Sequence, residues 1–384
     1  MNIFDYLKWR RDVPFSVSPF NEVDNLILAE LAYTDFGGIV PGDGTAISLQ
    51  TAYTRFFLVH TRESILSSKS YTAPAPLLMD DMFRGARFAD TKLLFYRNER
   101  DIQTDLQFSA VTFLLPDGTA YVAFRGTDGT LVGWKEDFNL SYLTGTEGQQ
   151  RAAEYLSTVG KALDCPLRAG GHSKGGNLAV YAAACCDETV QKRIETVYSN
   201  DGPGFKPEFL AGEGYQRILP RIVSIIPDTS VIGLLMMSRA APQVIRSSAS
   251  GMIQHDGFTW ETERDRFVPA ELSETSKLVN QTLAGWMNQT DDESRKAMTE
   301  TVFSMLEATG EETFSGIKGS KMKSAEAMAQ SVKNLPKGSL PELARMISRL
   351  GQSGVRTASS YIQGIAAEKL QGKNEAPRIP EDGE

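Results

Sequence analysis

The sequence predicts an α/β protein: a mainly parallel sheet with helices on both faces, followed by a helical C-terminal extension. Three observations carry that expectation. Between residues 106 and 226, short apolar segments of strand character alternate with helical ones, the order that builds parallel sheets. A glycine-flanked serine, Gly171-His172-Ser173-Lys174-Gly175, falls between a strand and a helix. From Ser273 onward the pattern turns wholly helical.

Taken in order, the first helix is expected over Phe20 to Tyr33. Asn21 can cap it, and Val23, Leu26, Ile27, Glu30 and Leu31 give an apolar face with one polar edge. Residues 36–60 are glycine-rich and then apolar, without a pattern that assigns them to helix or strand, and Tyr71 to Pro76 reads as a loop. Leu106 to Leu115 and Thr119 to Arg125 flank a Pro116-Asp117-Gly118 turn and read as a hairpin. A helix from about Gly148 to Leu163 follows, then the strand Pro166 to Ala169 and the apolar helix Leu178 to Ala184. Ile194 to Asn200 and Arg221 to Ile226 are two further strands. In the helical extension, Thr290-Asp291-Asp292-Glu293 and Ser339-Leu340-Pro341-Glu342 fit the capping-box pattern. Leu343, Met346, Ile347 and Leu350 form one stripe ended by Gly351. The expected organisation is an N-terminal region 1–104 packed on a core 105–270, a helical region 271–371, and a polar, disordered tail 372–384.

Bulk composition bounds the function. A chain of 384 residues that is 41% hydrophobic can bury a sizeable core. With 48 acidic against 40 basic residues the net charge is -8, which argues against nucleic acid and fits a soluble cytoplasmic protein. Three cysteines are too few for a disulfide framework, so buried reduced thiols are expected. The N-terminus lacks the apolar core of a signal peptide. The longest apolar run, Val231 to Met237, falls far short of the ~20 residues that span a bilayer. His60, His172 and His255 have no metal-ligand spacing, so neither metal nor cofactor is expected.

The chemistry centres on Ser173. A serine on a sharp strand-to-helix turn needs glycine two residues before and after it, where larger side chains would clash, and Gly171 and Gly175 stand there. The turn aims the next backbone N–H, that of Lys174, at an oxyanion from a helix N-terminus. In the α/β-hydrolase plan an acid and then a histidine follow the serine, each on a loop at a strand's carboxyl end. Asp228, after the strand ending at Pro227, is the first choice for the acid, and Asp201, after the preceding strand, is the second. His255 is the one histidine after either acid, which selects it as the base. Thr127, after the strand ending Phe124-Arg125-Gly126, can complete the oxyanion hole with its N–H and hydroxyl.

Phe124-Arg125-Gly126-Thr127, Trp134 with Asp137, and Gly171 to Gly176 resemble the class 3 (fungal-type) lipase branch of the α/β hydrolases over residues 105–260. The closer resemblance, to about residue 320, is to an uncharacterised bacterial branch of lipase-like proteins. That branch shares the Gly-His-Ser-Lys-Gly-Gly-Asn elbow, the loop Asn200 to Phe205 and the segment Gln254-His255-Asp256. The resemblance implies a triad of Ser173, Asp228 and His255, with Thr127 in the oxyanion hole. Two features depart from it: Lys174 stands where an apolar residue is usual, and the interval from Asp228 to His255 is short.

A cation opening a helix opposes the macrodipole, so Lys174 needs compensation from Glu136, Asp137 or an anionic substrate group. Its side chain recruits a charged head group, steadies the oxyanion region or snorkels to solvent. Val231 to Met237 lines an acyl pocket, forms a lid or is buried core. The expected function is hydrolysis of carboxylic esters, acylglycerol- or phospholipid-like, through an acyl-enzyme. Thioesterase or acyltransferase chemistry, and a binding module with a silent site, are the alternatives. The expected partner is a small-molecule or lipid ester, with transient membrane-surface contact and no nucleic acid.

Overall fold

A computed structural model describes residues 1–68, 70–128 and 130–307. The chain divides into two units, Met1–Lys296 and Ala297–Glu384. The first is built on one eight-stranded sheet in which the strands lie side by side in chain order. β1 (Ile47–Ser48), β2 (Lys92–Asp101), β3 (Leu106–Leu114) and β4 (Ala120–Phe124) run antiparallel. From β4 the sheet is parallel through β5 (Leu167–His172), β6 (Ile194–Asn200), β7 (Ile222–Pro227) and β8 (Pro242–Ile245). The expected hairpin is β3–β4. The sheet is more mixed than expected, because β2 precedes the hairpin and pairs with it. A bulge between Leu94 and Arg97 interrupts the alternation in β2 and hides its strand character in the sequence.

The sheet lies between two cores, and alternation along β4 assigns side chains to each. Tyr121 and Ala123 join one core, with residues of α1 (Ile3–Arg10) and α2 (Glu22–Leu31). Ala120, Val122 and Phe124 join the other, with the helices Glu147–Ala162 and Lys174–Cys185. Helices therefore cover both faces, and residues before the hairpin supply one of the two layers.

α2 begins one residue after Asn21. The Asn21 side chain accepts from the N–H groups of Val23 and Asp24, and Asp24 returns the bond in a capping box. The helix is buried all round, so its polar residues must find partners inside. Asp24 takes a buried ion pair from Arg87 and a hydrogen bond from Tyr6. The glycine-rich and apolar stretch after it contains the helix Leu49–Val59, capped by Ser48. At the far end Asp291, not Thr290, caps the helix Asp292–Glu307, its carboxylate accepting from the Ser294 N–H. The box at Ser339, the stripe from Leu343 to Gly351 and the tail 372–384 lie outside the described residues. Among the described residues no helix is long and apolar enough to cross a membrane.

Candidate active site

Ser173 follows the last residue of β5 and precedes the helix Lys174–Cys185. Its backbone has φ 58° and ψ -132°, a conformation few side chains adopt and one that persists only where the surroundings enforce it. The enforcement is visible in the flanking glycines. A Cβ at Gly175 would lie 2.1 Å from the Phe124 carbonyl oxygen, and one at Gly171 would lie 2.4 Å from that same oxygen. The glycines let β4, β5 and the elbow helix meet at backbone contact.

His255 ends the short 3-10 turn Gly251–His255. Its Nδ1 is 2.6 Å from a carboxylate oxygen of Asp201. The carboxylate on His255 is thus Asp201's, the second choice from the sequence, and the first choice, Asp228, is corrected. Sheet order is the physical reason: β6 is the immediate neighbour of β5, with Asn200 paired to His172, so Asp201 emerges one strand from Ser173. Asp228 emerges a strand further out, with its Oδ1 buried and without a hydrogen bond. The short interval from acid to histidine disappears with the correction.

Asp201 is held on all sides. Its Oδ1 accepts from the Ser230 hydroxyl and, at 3.0 Å, from the Gly233 N–H. A Cβ at Gly233 would lie 2.4 Å from that oxygen, so glycine is needed for the approach. Met236 and Met237 are not core, and residues 231–236 are half-buried. The segment Val231 to Met237, for which the sequence leaves pocket, lid and core open, supplies in its first turn the Gly233 N–H that holds Asp201. Asn177 donates to the carbonyls of Pro203 and Gly204 at 3.1 and 2.9 Å, fixing the loop after Asp201 to the elbow helix.

The Thr127 hydroxyl donates to Asp137 at 2.6 Å. Burial raises the Asp137 carboxyl to about 6, against the pull of Lys174 and the Thr127 bond. With its one proton committed there, Thr127 has its backbone N–H left for an oxyanion. That N–H and the Lys174 N–H make no hydrogen bond among the described residues.

The Lys174 side chain corrects two of the expectations for it, head-group recognition and snorkelling. At 1% exposure it neither snorkels nor meets a substrate head group. Its Nζ donates at 2.8 Å to the Gln107 carbonyl, at 2.8 Å to the Gln107 side chain and at 2.7 Å to Glu136. Glu136, equally buried, supplies the compensation and also accepts from Thr146 Oγ1 and the Gly148 N–H. Sequence reasoning named Glu136 and placed Gln107 on a strand, but no local pattern reveals that Gln107 meets Lys174.

It also missed the residues that α2 sends to the site. Asn25 donates to Asn200 at 2.8 Å and accepts from the Tyr121 hydroxyl at 2.6 Å. Asn200 in turn donates to the Gly171 carbonyl at 3.1 Å. Asn200, the residue before Asp201, and the strand before Ser173 are therefore tied through α2. Glu30 and Tyr33 lie against His172, with Glu30 Oε1 3.6 Å from its Nδ1.

Strand order and local geometry define the class: an α/β protein with a strained strand–turn–helix serine and an aspartate–histidine pair on loops of the same sheet. The chain belongs to the Mbeg1-like family, whose model matches residues 82–304, more than half of its length. Among solved structures it is similar to the Rhizomucor miehei lipase in its propeptide complex, at 15% identity and a TM-score of 0.32. That match covers 47% of this chain and 65% of the lipase, so the chain spans less than two thirds of it. M37 lipase matches at 14% identity and a TM-score of 0.32, over 61% of this chain and 95% of that one. A TM-score of 0.32 carries no argument about fold or function. No match was found among curated proteins.

Proposed function

We propose that this protein is a serine hydrolase of carboxylic esters, with an α/β-hydrolase arrangement of Ser173, His255 and Asp201. One observation carries the reading: a serine held at positive φ by glycines on both sides, on the strand beside the one that delivers an aspartate bonded to a histidine. Asp201 on Nδ1 leaves His255 Nε2 as the basic nitrogen and stabilises the imidazolium that forms. Nε2 takes the Ser173 Oγ proton as Oγ attacks the ester carbonyl. The tetrahedral oxyanion accepts from the N–H groups of Lys174 and Thr127. The protonated His255 then gives its proton to the departing alkoxide, leaving an acyl-Ser173 that water, activated by the same nitrogen, hydrolyses.

The substrate is read as an acylglycerol- or phospholipid-like ester, which the protein meets in transient contact with a membrane surface. The buried Lys174 gives no support to recognition of an anionic group by its side chain. The test is covalent labelling by a fluorophosphonate, with p-nitrophenyl esters from acetate to palmitate run alongside. Wild type is expected to label and turn over, and Ser173→Ala to do neither. Folded wild-type protein that fails to label sinks the reading and leaves a binding module on this fold.

A further inference from the structure

The elbow pattern asks nothing of the residue before the serine, yet His172 is buried there and bonded at both ring nitrogens. Its Nε2 is 2.6 Å from the His255 main-chain carbonyl. A carbonyl only accepts, so Nε2 carries the proton. Its Nδ1 is 3.1 Å from the Tyr33 hydroxyl, which must then donate to it. Burial holds His172 well below the usual histidine range, so the ring stays neutral and in that one tautomer. Glu30 beside it is pushed well above the ordinary carboxyl range by burial, helped by Asp256. The other neighbours are the Trp260 ring, at 6.2 Å, and the His255 ring itself, at 4.6 Å and 36°.

We propose that His172 is a positioning residue for the hydrolysis: its Nε2–H grips the His255 main chain, and Tyr33 fixes the tautomer that makes the grip possible. The proposal rests on the assignment of Ser173 and His255 above. His172 is the covalent neighbour of the nucleophile, so the bond joins the main chain of the base directly to the turn that carries the serine. His255 is otherwise on a short turn, with a side chain 27% exposed, and Asp201 restrains its ring alone. Asp201 sets where the imidazole points, and His172 sets where its backbone sits. α2 enters the chemistry through Tyr33, just past its C-terminus.

The test uses full-length variants. In His172→Gln the amide nitrogen reaches the place of Nε2; in His172→Asn it reaches only as far as Nδ1; His172→Phe fills the space with no donor. The readouts are kcat and KM on a p-nitrophenyl ester, the rate of fluorophosphonate labelling and the melting temperature. The expected result is that Asn and Phe lower kcat and labelling roughly 10- to 100-fold at unchanged KM, as a small misplacement of a catalytic group does. Gln recovers most of the loss, and Tyr33→Phe shows a smaller loss of the same kind. If Phe fails to fold, the Gln–Asn pair decides. Equal rates for Gln and Asn, or losses that follow melting temperature alone, overturn the proposal. The parent reading fails in a different way, by Ser173→Ala labelling as wild type does.

Discussion

Asp201 and Asp228 each follow a parallel strand, and they differ in what their carboxylates touch. Asp201 has a partner at each oxygen, His255 on one and Ser230 with Gly233 on the other. Substituting it should therefore remove the group that fixes the imidazole's tautomer while leaving the serine in place. The expected loss for Asp201→Asn is about 10⁴-fold in kcat, the scale seen when a triad aspartate becomes an amide. Asp228→Asn should label and turn over as wild type does. The reverse ranking, measured on the same ester, would restore Asp228 as the acid. The sequence held both aspartates and chose by the usual strand, because chain order does not say which strand lies beside which. His255 and Ser173 stand out in the sequence for the opposite reason. One is selected by order among three histidines, and the other by glycines whose need is local.

At the scale of elements, the elbow helix is bound to β3 and to the helix Leu131–Asn139 by the buried pair of Lys174 and Glu136. Breaking such a pair on one side leaves an uncompensated charge in the interior and costs about 3–5 kcal/mol. Lys174→Met should lower stability on that scale, measured by denaturant unfolding. Its activity on neutral and anionic esters should fall in equal proportion, because the ammonium has no route to a substrate. The double variant Lys174→Met, Glu136→Leu should recover most of the stability, since it removes both charges. Periodicity read the elements around this pair well: the hairpin, the helix Glu147–Ala162 and β5 to β7 fall within a few residues of expectation. It failed where polar residues are buried within a helix or a strand. Asn25, Glu30 and Gln107 look like surface positions in a sequence, and only three-dimensional neighbours explain them.

For the whole molecule, acid–base behaviour sums over buried groups that pull in opposite directions. Asp137 is raised from 3.8 to about 6, so the folded state holds its proton where the unfolded chain has lost it. Stability from this group is therefore greatest at low pH and declines as pH rises from about 4 to about 6. Asp137→Asn should gain stability relative to wild type across that window and hold a constant advantage above it, read from melting temperatures at a series of pH values. His172 acts in the other direction, because a histidine kept neutral by burial destabilises the fold once the unfolded chain can be protonated below its ordinary range. Long-range ties close the molecule. Asn25 meets Asn200, the Glu22 carboxylate accepts from the Phe267 N–H, and the Met1 carbonyl accepts from the Thr262 N–H. Synthesis runs from the N-terminus, so the first helices leave the ribosome long before any of these partners exist. Met1, Glu22 and Asn25 are therefore made before the partners that hold them, and they find their places only when those partners arrive. A protease that trimmed the chain through α2 would release Asn200 while leaving Ser173, Asp201 and His255 covalently whole.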